Sequence, residues 1–129
     1  MNTVAIIGAS SNPEKNGNRA VHAYLGHGWK VFPVNPTEST IEGLTVYRSV
    51  RDIPDPIDRV TVYLPPQIGI KVLDDIASVR PSEVNFNPGS ESPELLTRAR
   101  EMGLNAIVAC SIIDSGRAPV ARTTDHDSD

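Results

Sequence analysis

Thr-Val-Ala-Ile-Ile-Gly-Ala-Ser-Ser-Asn-Pro-Glu-Lys-Asn-Gly-Asn-Arg (TVAIIGASSNPEKNGNR, residues 3–19) decides the fold. Thr3 to Ile7 is a short apolar run rich in β-branched residues, which reads as a strand buried on both faces, the kind that belongs to a parallel sheet. Gly8 ends it. The chain is then mostly small and polar until about Gly17, where a helix is expected to begin. Small residues between a buried strand and a helix let an anion approach the backbone, and the helix start adds free N–H groups and the positive end of its dipole. Lys15 and Arg19 stand where their charges reach the same anion. Gly8, Ala9, Ser10, Lys15 and Arg19 therefore form a candidate phosphate cradle. A plain connecting loop with solvated charges is the simpler alternative, disfavoured because these residue types gather where such a fold places its ligand.

Outward from this stretch, the same alternation repeats. Asn18 to His27 carries Val21, Tyr24 and Leu25 on one helical face, with Gly28 as its stop. Trp29 to Val34 is a second strand, whose Pro33 predicts an edge position or a strand end. Asn35 to Pro56 is an irregular connector with one helical turn and an extended piece at Leu44 to Tyr47. Arg59 to Leu64 is a third strand, stopped by Pro65 and Pro66. Ile68, Val72, Leu73 and Ile76 then predict a helical stripe to about Val79. Glu83 to Phe86 is a fourth strand, broken by Asn87-Pro88-Gly89. Ser92-Pro93-Glu94 opens another helix with a hydroxyl cap, a proline in its first turn and an early acid. Its buried face is expected at Leu95, Leu96, Ala99 and Met102. Ala106 to Ala109 is the fifth strand. Strand and helix in alternation predict an α/β, Rossmann-like open parallel sheet of about five strands with helices on both faces. Residues 1–115 are expected to form the domain, and 116–129 a flexible acidic tail.

Composition agrees with one domain: the chain has 129 residues, 39% hydrophobic and 22% charged. Leu, Ile, Val and Phe make up about a quarter of it, above the roughly 20% below which chains tend to disorder. Twelve Lys and Arg against 16 Asp and Glu give a net charge of -4, which argues against a nucleic-acid partner. Cys110 is the single cysteine, so neither an intrachain disulfide nor a four-cysteine metal site can form, and a cytoplasmic location is expected. No apolar run reaches the roughly 18 to 20 residues of a membrane span. Asp74 and Asp75 read as a solvated helix face, Asp55 and Asp58 as turn residues, and no spacing suggests a metal site.

An NAD site fits poorly. A G-x-G-x-x-G fingerprint begun at Gly8 places Ser10 and Pro13 at the second and third glycines, and the second strand ends in Val34-Asn35-Pro36 rather than in an acid, the first carboxylate being Glu38. The pieces GASSNPEKNGNR (8–19), HGWKVFPVNP (27–36), GLTVYRSVRDIPDPID (43–58), VYLPP (62–66) and NPG (87–89), in this order, resemble the CoA-binding-domain family. That family comprises small single-domain CoA-binding proteins related to the CoA-binding domain of succinyl-CoA synthetase α-subunits. The resemblance implies coenzyme A or an acyl-CoA lying across the strand ends. Its phosphates would rest on Gly8 to Ser10 with Lys15 and Arg19, and its adenosine would border Asn35 and Pro36. Pro65, Pro66, Asn87, Pro88 and Gly89 would line the rest. Two positions depart from the family pattern: Asn87 stands where a glutamine is frequent, and Thr37-Glu38 where a lysine is common. The expected role is a non-catalytic carrier or sensor with a small nucleotide ligand, no nucleic acid and no membrane, a protein partner or homodimer being left open. The alternatives are an NAD(P)-dependent oxidoreductase domain and a thiol-active enzyme using Cys110 on CoA thioesters or disulfides. His22, His27 and His126 are the histidines such a thiol would need, and the first two are expected to face solvent.

Overall fold

The computed structural model describes residues 1–119. Five strands form one sheet: β1 (Thr3–Ile7), β2 (Lys30–Val34), β5 (Arg59–Val62), β6 (Glu83–Phe86) and β7 (Ala106–Val108), all parallel, in the order β2-β1-β5-β6-β7. The chain passes from β1 outward to β2, then returns across β1 to β5 and continues. The order therefore reverses between β1 and β5, and a reversal of this kind opens a crevice at the carboxyl ends of the two strands. The expected Rossmann-like sheet is present.

Alternation along β1 explains why it lies centrally. Val4 and Ile6 face one side and Ala5 and Ile7 the other, and all four are buried. Val4 and Ile6 pack with Ala20, Val21 and Tyr24 of α1 (Asn16–Gly26). Ala5 and Ile7 share a core with Leu73 and Ile76 of α3 (Leu73–Ser78) and with Leu95 and Ala99 of α4 (Pro93–Glu101). Helices thus cover both faces. Ser92 caps α4 as its sequence predicts, its Oγ accepting from the Leu95 N–H at 3.1 Å. β2 is an edge strand, so Pro33 sits where its missing donor costs no ladder bond, and the Pro33 carbonyl accepts from Tyr47 instead.

Several expectations need correction. The first helix begins two residues earlier than predicted, at Asn16, and Leu25 is exposed rather than packed. The stripe after Pro66 is broken into α2 (Pro66–Gly69), a 3-10 turn at Ile70–Val72 and α3, so Ile68 turns outward. The connector contains, besides its 3-10 turn at Val50–Asp52, a hairpin of β3 (Thr40–Ile41) and β4 (Leu44–Thr45). Its two-residue turn has both Glu42 and Gly43 at positive φ, a primed turn that fits the strand twist. Glutamate at the first turn position hid it from sequence reading.

The acids are also more engaged than turn or solvent roles required. Asp58 accepts from the Thr3 N–H at 2.9 Å, Asp55 pairs with Lys30 at 2.6 Å, and Asp75 pairs with Arg51. Arg117, assigned to the tail, is held in place. After α5 (Ser111–Asp114), the Arg117 guanidinium reaches Glu83 at 2.9 Å and Asp114 at 2.7 Å. The rest of the predicted tail, 120–129, lies outside the described residues.

Candidate functional site

Two glycines shape the loop after β1. Gly8 has φ +90, a conformation that L side chains rarely adopt, and a Cβ on it would lie 2.7 Å from the Tyr63 carbonyl oxygen. A Cβ on Gly17 would lie 2.2 Å from the Gly8 carbonyl oxygen. The first turn of α1 is therefore pressed directly onto the end of β1. This is the close helix–strand approach that the third glycine of a dinucleotide fingerprint normally provides, moved four residues along by a longer loop. Sequence reading tested Pro13 for that role and missed Gly17; the signal was the glycine at the expected helix start.

The loop is fastened at its edges and open at its centre. Ser10 Oγ accepts from the Asn12 N–H at 3.0 Å, Asn12 Oδ1 accepts from the Glu14 N–H at 3.0 Å, and Asn18 Nδ2 donates to the Ser10 carbonyl at 2.9 Å. Asn35 closes the other side, its Nδ2 donating to the Ala9 carbonyl at 2.9 Å while its Oδ1 accepts from the Thr37 and Glu38 amides. Among the described residues, no hydrogen bond engages the amides of Ala9 and Ser10. At the start of α1, the Asn16 and Gly17 amides likewise have no hydrogen-bond acceptor among the described residues, while that of Asn18 donates to the Lys15 carbonyl at 3.1 Å. Lys15 and Arg19 are exposed and have no ion-pair partner among the described residues.

These groups face a groove of about 690 Å³. Gly8, Ala9, Ser10, Lys15, Arg19, Asn35, Pro36, Pro88 and Gly89 line it, as do Glu14, Asn16, Gly17, Tyr63, Leu64 and Ser90, which sequence reading did not single out. It lies at the strand-order reversal, since Gly8 follows β1 and Tyr63 follows β5. An apolar pocket of about 200 Å³ shares Gly8, Pro36 and Leu64 with the groove and extends to Val50, Ile68 and Val72. The outward turn of Ile68 thus supplies a wall.

Three predicted residues do not line the groove. Pro65 caps α2 and Pro66 opens it. Asn87 is buried and fully engaged: Nδ2 donates to Thr61 Oγ1 at 2.8 Å and to the Val62 carbonyl at 2.9 Å, and Oδ1 accepts from the Ser111 N–H at 2.7 Å. It ties β5, β6 and α5 together and so positions the Pro88-Gly89 rim.

Tyr63 lines the groove, while its hydroxyl is buried on the α1 side of the sheet, near Tyr24, Cys110 and Ser111, and has no hydrogen-bond partner by distance and angle. Burial pushes its pKa well above the usual tyrosine range, with Cys110 and Tyr24 adding to the effect. Cys110 precedes α5, is partly exposed and does not line either cavity. His22 and His27 are exposed, and His126 lies outside the described residues. Among the described residues, no three of His, Cys, Asp and Glu gather as a metal site, and no helix is long and apolar enough to cross a membrane.

Comparison with known proteins agrees with this geometry. A family model described as CoA binding domain matches residues 2–115. The α subunit of acetate–CoA ligase (ADP-forming) I from Pyrococcus furiosus is 34% identical over 122 residues, which are 81% of this chain and 26% of that subunit. The acetate–CoA ligase (ADP-forming) of Methanocaldococcus jannaschii is 36% identical over 73 residues, 57% of this chain and 10% of that protein. The chain thus spans well under half the length of these ligases. A conserved hypothetical protein from Pyrococcus furiosus superposes with a TM-score of 0.81 at 33% identity, covering 88% of this chain and 99% of that one. An acetyl-coenzyme A synthetase of Ca. Korarchaeum cryptofilum, solved with phosphate and ADP, superposes with a TM-score of 0.67 at 30% identity over 81% of this chain and 25% of its own. With nearly the whole described fold inside the matched segment, the chain belongs to the CoA binding domain family.

Proposed function

We propose that the chain binds coenzyme A or an acyl-CoA in the groove after β1 and β5, as a non-catalytic carrier or sensor. The observation that carries this reading is the Gly8–Gly17 contact, which holds the Ala9 and Ser10 amides beside the start of α1 and below two unpaired cations. Main-chain amides and a helix start suit a pyrophosphate, and Lys15 and Arg19 supply the positive charge that an acidic chain otherwise lacks. The apolar pocket beside Pro36 suits an adenine ring, so the adenosine end points toward β2. The pantetheine arm would then run past Tyr63 and Leu64 toward Pro88 and Gly89. The acetate–CoA ligases act through much longer chains, and no ligase activity is assigned to this one.

NAD is disfavoured by the same features. Asn35 stands where a dinucleotide fold presents its ribose-binding acid, and both ends of its side chain are engaged with backbone. Thermal unfolding with CoA, NAD and ATP tests the reading, since a ligand at 100 times its Kd adds about 2.7 kcal/mol of stability. CoA is expected to raise Tm and NAD to leave it unchanged; a shift with NAD alone overturns the proposal.

A further inference from the structure

On its β2 side, just beyond the residues that line it, the groove is flanked by two carboxylates, opposite in sign to Lys15 and Arg19. Glu38 folds back onto the loop, its Oε2 accepting from the Ser11 N–H at 3.1 Å and lying 3.4 Å from Asn35 Nδ2. Glu42, at the tip of the β3–β4 hairpin, accepts from Asn18 Nδ2 at 2.9 Å and meets His22 at 3.3 Å, while the same Asn18 amide holds the Ser10 carbonyl. A carboxylate thus occupies a loop amide next to the two left for the pyrophosphate, and a second stands behind it.

On the CoA reading, which this inference deepens and on which it rests, the ribose must bridge the apolar pocket and the loop. It therefore lies over Gly8 and Pro36, the residues the two cavities share on that side, with Glu38 two residues further along the chain. We infer that Glu38 is a specificity residue that selects an adenosine moiety whose ribose carries free hydroxyls over one carrying a 3′-phosphate. A carboxylate accepts hydrogen bonds from ribose hydroxyls, whereas a phosphate there meets like charge and loses the Ser11 amide that Glu38 holds. The preferred ligand is then 3′-dephospho-CoA, or an acyl form of it, rather than CoA. Arg48 is the competing attraction: it also lines the apolar pocket, is exposed, and has no ion-pair partner among the described residues.

Titration calorimetry on the full chain at fixed salt separates these. 3′-Dephospho-CoA is expected to bind about tenfold more tightly than CoA. In Glu38→Gln, which keeps an acceptor for Ser11 and removes the charge, that ratio is expected to fall to about one through tighter CoA binding. CoA binding at least as tightly as the dephospho form overturns the inference and leaves the CoA reading standing, and loss of that preference in Arg48→Gln would then assign the ribose phosphate to Arg48. An unchanged ratio in Glu38→Gln also overturns it. Binding of neither ligand removes the CoA reading together with this inference.

Discussion

The two ends of the sheet treat charge in opposite ways. At the amino ends of β5 and β6, Arg59 and Glu83 are both fully buried and paired with each other. Arg59 also donates to Tyr24 Oη at 3.1 Å and to the carbonyls of Asp114 and Arg117 at 3.1 and 2.8 Å, and its guanidinium lies 4.6 Å from the centre of the Trp29 ring. At the carboxyl ends, Lys15 and Arg19 stand in solvent with no ion pair among the described residues. A buried charge must be matched within the fold because desolvation is costly. A charge left unmatched beside free amides is available to a ligand. The first arrangement fastens α1, the sheet and the C-terminal segment together; the second is where chemistry from outside can enter.

The largest expected effect breaks the buried end. Glu83→Gln leaves the buried Arg59 without its counter-charge and Arg117 with Asp114 alone, and is expected to cost about 3–5 kcal/mol in urea unfolding; a loss below about 1 kcal/mol would show that this cluster is not the structural half of the pair. Next, Gly17→Ala drives a methyl into the Gly8 carbonyl. It is expected to cost about 1–3 kcal/mol of stability and to abolish CoA heats in calorimetry, even in protein that remains folded. Full CoA affinity in that variant would mean that the loop is not the cradle.

Smaller effects sharpen the contrast. Lys15→Ala and Arg19→Ala are expected to weaken CoA binding by about fivefold each, with reduced salt dependence. Because neither side chain is paired within the fold, their unfolding midpoints should match the parent's. The smallest effect is Asp114→Asn. The Arg117 hydrogen bond holds the Asp114 carboxyl below the usual range against the opposing effect of burial. Its contribution is therefore complete above the unfolded aspartate pKa of about 4 and is lost as pH falls through the lower folded value. The pair is partly solvated, so about 0.5–1 kcal/mol is expected at pH 7, with parent and variant converging in acid. A constant difference down to the lowest pH would contradict this assignment.

Much of the fold was legible because parallel strands buried on both faces are mostly apolar, as in Thr3 to Ile7, whereas Glu83–Phe86 carries Glu83 and Asn85 as buried polar members. Those polar members were the ones whose roles stayed hidden. Arg59, Glu83 and Asn87 resemble strand-end residues in sequence, and only their partners show that they are structural: Tyr24 of α1 and the segment after α5 for Arg59 and Glu83, β5 and Ser111 of α5 for Asn87. The lining of the candidate groove was legible where its determinants are local, as at Gly8 to Ser10 with Lys15 and Arg19. It was not where they come from distant parts of the chain, as with Tyr63, Ser90 and the Ile68 wall of the apolar pocket.

By itself the sequence determined the alternation of buried strands and amphipathic helices, because the side-chain periods of two and 3.6 are imposed by backbone geometry alone. It also determined where small residues at a strand end leave backbone amides uncovered, at Ala9 and Ser10. Tertiary structure decided which charges are spent within the molecule and which remain for a ligand. That depends on desolvation and on partners tens of residues away, such as Arg117 for Glu83 and Glu38 for Ser11.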